Sequence, residues 1–290
     1  MLSGRHALRS VSLPLGGLAF LLVLACSPPA SEPPPPEAAA PLPADEEFQV
    51  VDSGAVAWSY AGDTGPASWS RLHPDFVLCA EGREQSPIDL PAPDATGENL
   101  PDPLFQYRSS PLVALRDSTG VRVVYEPGSS LRMGSGEWQL QQIEFHQPSE
   151  HTVDGQSFPL EMHLVHKDAD GYLAVLAVFL GEGAENPAFA PILDHLPEKA
   201  GGEARPSGVM FQAEDLLPAE RLSWRYPGSL SVPPCSEGVQ WIVLRMPVEL
   251  GAAQLERLRA VLGDTHRPVQ PLHDRTVQED TAVDQDPDQG

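Results

Sequence analysis

The chain is predicted to be mostly β, one largely antiparallel sheet with short helices around it. Three observations predict this: five strand-like segments rich in β-branched and aromatic residues, turn residues at hairpin distances between several of them, and helical apolar spacing in only two places.

The elements follow in chain order. Arg5, His6 and Arg9 precede an apolar run from Leu13 to Ala25 that closes in "VLAC" at Cys26, so residues 1–25 have the layout of a lipoprotein-type export signal. The run is shorter than the ~20 residues that a membrane span requires. Cys26 is expected to become the lipidated N-terminus of an exported protein, periplasmic or on the cell surface. Residues 26–47 are proline-rich and acidic, an extended tether. Residues 48–277 carry no repeat and no long linker and are read as one domain, and residues 278–290, "QEDTAVDQDPDQG", as a disordered acidic tail. In the domain the strand candidates are "VRVVYE" from Val121, "EWQLQQIEFH" from Glu137, "FPLEMHLVHK" from Phe158, "YLAVLAVFLG" from Tyr172 and "VQWIVLRM" from Val239. The helix candidates are "NPAFAPILDHL" from Asn186, with Pro187 suited to a first turn, and "GAAQLERLRAVL" from Gly251.

A formal charge of −23 argues against nucleic acid and anionic membranes as partners, because so acidic a surface repels phosphate. The expected membrane contact is through the lipid alone. With Cys26 lipidated, Cys79 and Cys235 are left as a pair that an exported protein permits to bond.

Side chains alternate along a strand, so Gln142, Glu144 and His146 share one face of "EWQLQQIEFH", and Glu161, His163 and Val165 share one face of "FPLEMHLVHK". If the two strands are neighbours with these faces aligned, Glu144, His146 and His163 converge. Two imidazoles and a carboxylate make a three-ligand set of the kind that leaves a catalytic zinc one open position. Spacing of this kind also occurs among ordinary surface residues.

The motifs add to this. "WSYAGDTGPASW", "QSPIDL", "FHQPSEHTVDG", "EMHLVHKDADG", "LAVLAVFLGEG", "YPGSLSVPPCSEGVQWIVL" and "RPVQPLHDR" occur in that order between Trp58 and Arg275. In this the domain resembles the α-class carbonic anhydrases of the bacterial, exported type. The resemblance implies a twisted sheet of about ten strands, a metal at the base of a conical cleft, and a Cys79–Cys235 disulfide. It assigns zinc to three histidines, of which His146 and His163 match the second and third; Glu144 stands at the first. It makes Gln142 and Glu161 the supports of the first and third ligands. Ser231 falls where the family has the threonine that orients the attacking hydroxide and hands its own proton to a buried glutamate, here Glu150. Val165, Val175, Leu230 and Trp241 would form the apolar wall that receives carbon dioxide, and Val232 stands for a second threonine of the pocket. Val121 occupies the place of the proton-shuttle histidine. His151 and His166 are expected in structural networks, while His73, His195, His266 and His273 are not nominated by any spacing.

The expected function is zinc-dependent interconversion of carbon dioxide and bicarbonate. Its efficiency is expected to be reduced, because a carboxylate ligand lowers the net charge felt by the metal's water and raises the pH at which hydroxide forms. The alternative is a non-catalytic carbonic-anhydrase-like binding module without metal. A two-histidine, one-carboxylate iron site is a third reading, disfavoured by the tetrahedral arrangement that the resemblance implies.

Overall fold

A computed structural model describes residues 56–93 and 97–281. The expected export signal, the lipid site at Cys26, the tether over residues 26–47 and the tail beyond residue 281 lie outside the described residues.

Among the described residues eleven strands form the main sheet: β1 Leu104–Gln106, β2 Val113–Arg116, β3 Val121–Val124, β4 Ser130–Met133, β5 Gly136–His146, β6 Leu160–Lys167, β7 Leu173–Glu182, β8 Gly202–Ala204, β9 Ser223–Ser229, β10 Glu237–Leu250 and β11 Gln278–Glu279. The strand order is β8-β2-β3-β5-β6-β7-β10-β9-β11, with β4 also pairing β5 and β1 pairing β4. Every pairing in this sheet is antiparallel except β7 with β10. The five expected strands are present as β3, β5, β6, β7 and β10. The short strands were not expected; they hold too few residues to show a period and exist through the neighbours that they pair with.

The helices are short. The segment from Asn186 becomes a 3-10 turn, Pro187–Phe189, running into Ala190–Leu193, with the Asn186 side chain capping the Ala188 amide. The other expected helix spans Ala252–Leu262 and buries Leu255, Leu258 and Leu262.

Two apolar layers enclose the central strands, and strand alternation sorts residues between them. On β7, Ala174, Leu176, Val178 and Leu180 enter the larger core, and Leu173, Val175, Ala177 and Phe179 the smaller one. The near-continuous apolar run of β7 is what burial on both faces requires.

On β5 the alternation is interrupted. Leu140 points into the larger core, a register shift against β6 falls between Leu140 and Gln142, and Ile143 and Phe145 then re-enter that core. The extra residue turns Gln142, Glu144 and His146 to the opposite face. Glu144 comes to lie opposite His163, and His146 opposite Glu161.

The structure moves one boundary. The tail was expected from Gln278, but Gln278 and Glu279 pair with Arg225 and Trp224 on β9, and Asp280 is fully buried beside Arg225 at 3.6 Å. Glu279 lies 3.2 Å from Arg245. The acidic composition that reads as solvated tail is here the anionic half of two ion pairs.

Candidate metal centre and cleft

Glu144, His146 and His163 each present a ligand atom within 4.8 Å of the others. They lie on β5 and β6 at the strand positions just described, with both histidines buried. What each imidazole bonds to decides which nitrogen is left. His146 Nδ1 lies 2.8 Å from the Thr265 carbonyl, an acceptor, so Nδ1 carries the proton. Its Nε2 keeps a lone pair, and that atom is buried with no hydrogen-bond partner among the described residues. His163 Nε2 lies 2.7 Å from Glu161 Oε1, so it donates there, and Nδ1 keeps the lone pair. Gln142 Nε2 donates to Glu144 Oε1 at 2.6 Å, holding the carboxylate. A buried, partnerless imidazole nitrogen costs free energy unless something occupies it. The donor set, two neutral imidazole nitrogens and one carboxylate oxygen, suits a divalent zinc ion.

Behind the donors lies a buried network. Glu161 accepts from His163, from His151 Nδ1 at 2.7 Å and from the His151 amide at 2.8 Å. Burial raises its carboxyl pKa, but His151 and His163 outweigh that and hold it well below the usual carboxylate range. Tyr226 Oη lies 2.6 Å from His151 Nε2 and donates to Ser86 Oγ at 3.0 Å. Glu150 Oε1 accepts from the Arg267 amide at 2.8 Å, and its Oε2, 3.9 Å from His163 Nδ1, has no hydrogen-bond partner among the described residues. A second group of possible donors, His151, Glu161 and His163, is this same network.

Comparison with known proteins agrees with the geometry. The family model described as eukaryotic-type carbonic anhydrase matches residues 64–281. The chain belongs to the carbonic anhydrase family. A carbonic anhydrase of Nostoc sp. is 40% identical over 225 residues, covering 77% of this chain and 85% of the relative. The α-carbonic anhydrase from Thermovibrio ammonificans, solved with sulfanilamide, superposes with a TM-score of 0.74 at 40% identity over 77% of this chain and 99% of that one. Dioscorin, solved with ascorbate, superposes with a TM-score of 0.70 at 28% identity over 79% of this chain and all of the other. The α-carbonic anhydrase fold expected from the motifs is thus the fold of the chain.

Other expected site residues of this carbonic anhydrase family member lie on the neighbouring strands and loops. Val165, Val175 and Trp241 stand in register across β6, β7 and β10, all buried, with Leu230 packed beside them. The Trp241 ring meets His163 edge-on at 5.0 Å. Val232 and Val121 line an open cleft with Trp58, Tyr60, Asp117, Thr119, Arg122, Glu144 and His146. Ser231 is buried in the loop between β9 and β10, but no hydrogen bond to Glu150 forms among the described residues. A serine lacks the branched methyl that pins a threonine rotamer, so its hydroxyl is not held towards the carboxylate. Cys79 and Cys235 form the expected disulfide.

Sequence reasoning missed four participants. Thr265 meets His146 through its carbonyl, and a backbone group leaves no side-chain signal, although its hydroxyl also accepts from the Gln147 amide. Arg267 lies inside the quoted "RPVQPLHDR" and binds the Ser86 and Cys79 carbonyls as well as Glu150; burial pulls its guanidinium pKa down to about 10. Tyr60 and Arg122 reach the cleft from segments distant in sequence. Burial, then Glu150, Glu144 and Asp117, raise the Tyr60 phenol well above its ordinary value.

Proposed function

We propose that the chain hydrates carbon dioxide reversibly to bicarbonate with one zinc ion held by Glu144, His146 and His163. The observation that carries this reading is the buried lone pair of His146 Nε2, grouped with Glu144 and His163 and without a hydrogen-bond partner among the described residues. When bound, zinc supplies a hydroxide nucleophile near neutral pH. The chain's own residues do the rest. Glu161 and the Thr265 carbonyl keep each imidazole in the tautomer that offers its lone pair inward. Val165, Val175 and Trp241 present an apolar, water-excluding surface for a linear, uncharged substrate. Glu150, fixed by the Arg267 amide, keeps Oε2 free to accept a hydrogen bond from the Ser231 hydroxyl once that hydroxyl turns inward. With Val121 lining the cleft in place of a shuttle histidine, the product proton leaves through water or buffer. Turnover is therefore reduced. The N-terminal signal supports export and lipid anchoring at Cys26, in the periplasm or at the cell surface.

A second reading, a binding module without catalysis, draws on the likeness to dioscorin, whose structure holds ascorbate. Metal analysis of the purified protein, with carbon dioxide hydration measured for the wild type and Glu144→His, separates the two. Stoichiometric zinc with slow hydration, faster in Glu144→His and displaced to lower pH, is the expected result. A wild type free of zinc and inactive after zinc loading would sink the enzyme reading.

A further inference from the structure

Arg122 stands on β3 directly opposite Glu144 on β5. Residues so paired leave the same face of the sheet, with Cβ atoms about 5 Å apart, and both line the cleft. Among the lining residues Arg122 is the fixed cation and Asp117 and Glu144 are the carboxylates. Asp117 is committed to its own turn, where Oδ1 accepts from the Thr119 amide, the Thr119 hydroxyl and the Gly120 amide. Glu144 is committed on one side only: Oε1 accepts from Gln142, and Oε2 takes no hydrogen bond from the described residues. Arg122 likewise makes no ion pair or side-chain hydrogen bond among the described residues. A guanidinium and a carboxylate oxygen, each with unused capacity, therefore face one another across one rung of the ladder.

We propose that Arg122 is a positioning residue that acts on the metal site through Glu144, as the counter-charge of that carboxylate. A neutral imidazole, which the motif resemblance assigns to position 144, needs no such partner. A carboxylate there adds a negative charge to the site, and a guanidinium paired with it across the ladder, without direct ion-pair contact, offsets that charge through a medium less screening than bulk water. The effect is to weaken Glu144 as a donor and to leave the metal more of its own charge.

The sign of the effect distinguishes this role from a merely structural one. Removing the guanidinium leaves the full charge of Glu144 to the metal, so zinc, measured by chelator competition, binds Arg122→Gln roughly three- to tenfold more tightly than wild type. Arg122→Lys stays near wild type. In the Glu144→His background the effect of Arg122→Gln falls by half or more, because no carboxylate remains to be offset. Weaker or unchanged zinc binding in Arg122→Gln, or an equal change in both backgrounds, would overturn the proposal.

The zinc arm rests on the function proposed above, and a second measurement does not. Melting temperatures of the metal-free wild type, Arg122→Gln, Glu144→Gln and the double variant form a cycle that is expected to be non-additive. Additive shifts would overturn the pairing. If none of these proteins binds zinc, the enzyme reading fails while the melting cycle still decides on Arg122.

Discussion

At the scale of single residues, the site is organised by acceptors that fix tautomers. Thr265 and Glu161 accept hydrogen bonds from His146 Nδ1 and His163 Nε2, and the opposite nitrogen of each ring keeps its lone pair. His166 shows the same physics outside the site. It is fully buried on the far side of β6, 2.7 Å from the Tyr107 hydroxyl, and burial lowers its pKa to about 4. Its folded value lies below the unfolded one near 6.5, so the unfolded chain takes up the proton first. The contribution of His166 is therefore complete above about pH 6.5 and is lost as pH falls towards its folded value, a loss of about 3 kcal/mol. Urea titrations between pH 7.5 and 4 should show a stability difference between wild type and His166→Gln that shrinks by that amount towards the acid end. A constant difference across the range would contradict the assignment.

At the scale of elements, the register of β5 against β6 makes the centre. Reading backwards by twos from His146 and Glu144 gives the site face as far as Gln142, and the next step, Leu140, already belongs to the opposite core. The sequence shows the alternation on either side of that shift but not the shift itself, because a bulge is placed by what the neighbouring strand needs. Strands β3, β5, β6, β7 and β10 were legible because each is long or strongly patterned. Strand β9, "SWRYPGS", was not: Pro227 and Gly228 disguise it, and its existence rests on pairing with β10 through a further register shift. The row Val165, Val175, Trp241 yields a prediction at this scale. Each member is at most 3% exposed, so Val165→Phe has no void to enter and should cost about 1–3 kcal/mol by overpacking. Zinc content should be unchanged, and carbon dioxide hydration should fall by roughly tenfold or more. Full activity in that variant would mean that the wall is not the substrate's surface.

At the scale of the whole molecule, the disulfide and Gln85 tie the loop of Ser231 to the segment around Cys79, and Arg267 ties that segment to Glu150. Cys79 and Cys235 are 156 residues apart in sequence, and closing that loop removes unfolded-state entropy worth about 5 kcal/mol in the chain-entropy model. Gln85 donates to the Cys235 carbonyl at 3.0 Å, and Arg267 to the Cys79 carbonyl at 2.9 Å, while the Arg267 amide holds Glu150. The Cys79→Ser/Cys235→Ser double variant should lose several kcal/mol in urea unfolding, about 5 at most, with no further effect of reductant. Wild type treated with reductant should move to the same midpoint, and an unmoved midpoint would show that the bridge adds no stability.

The sequence by itself determined the β class, the main strands, the cysteine pair and the candidates Glu144, His146 and His163, because alternation and residue chemistry are local properties. The family was legible too, through long motifs in a fixed order. Only the tertiary structure decided which nitrogen of each histidine is free, that Thr265 and Arg267 serve the site through backbone groups, that β11 takes in the start of the acidic tail, and that Arg122 faces Glu144. All of these except the His163–Glu161 bond depend on a partner more than ten residues away along the chain, and which partner a group meets is set by register and packing rather than by its own identity.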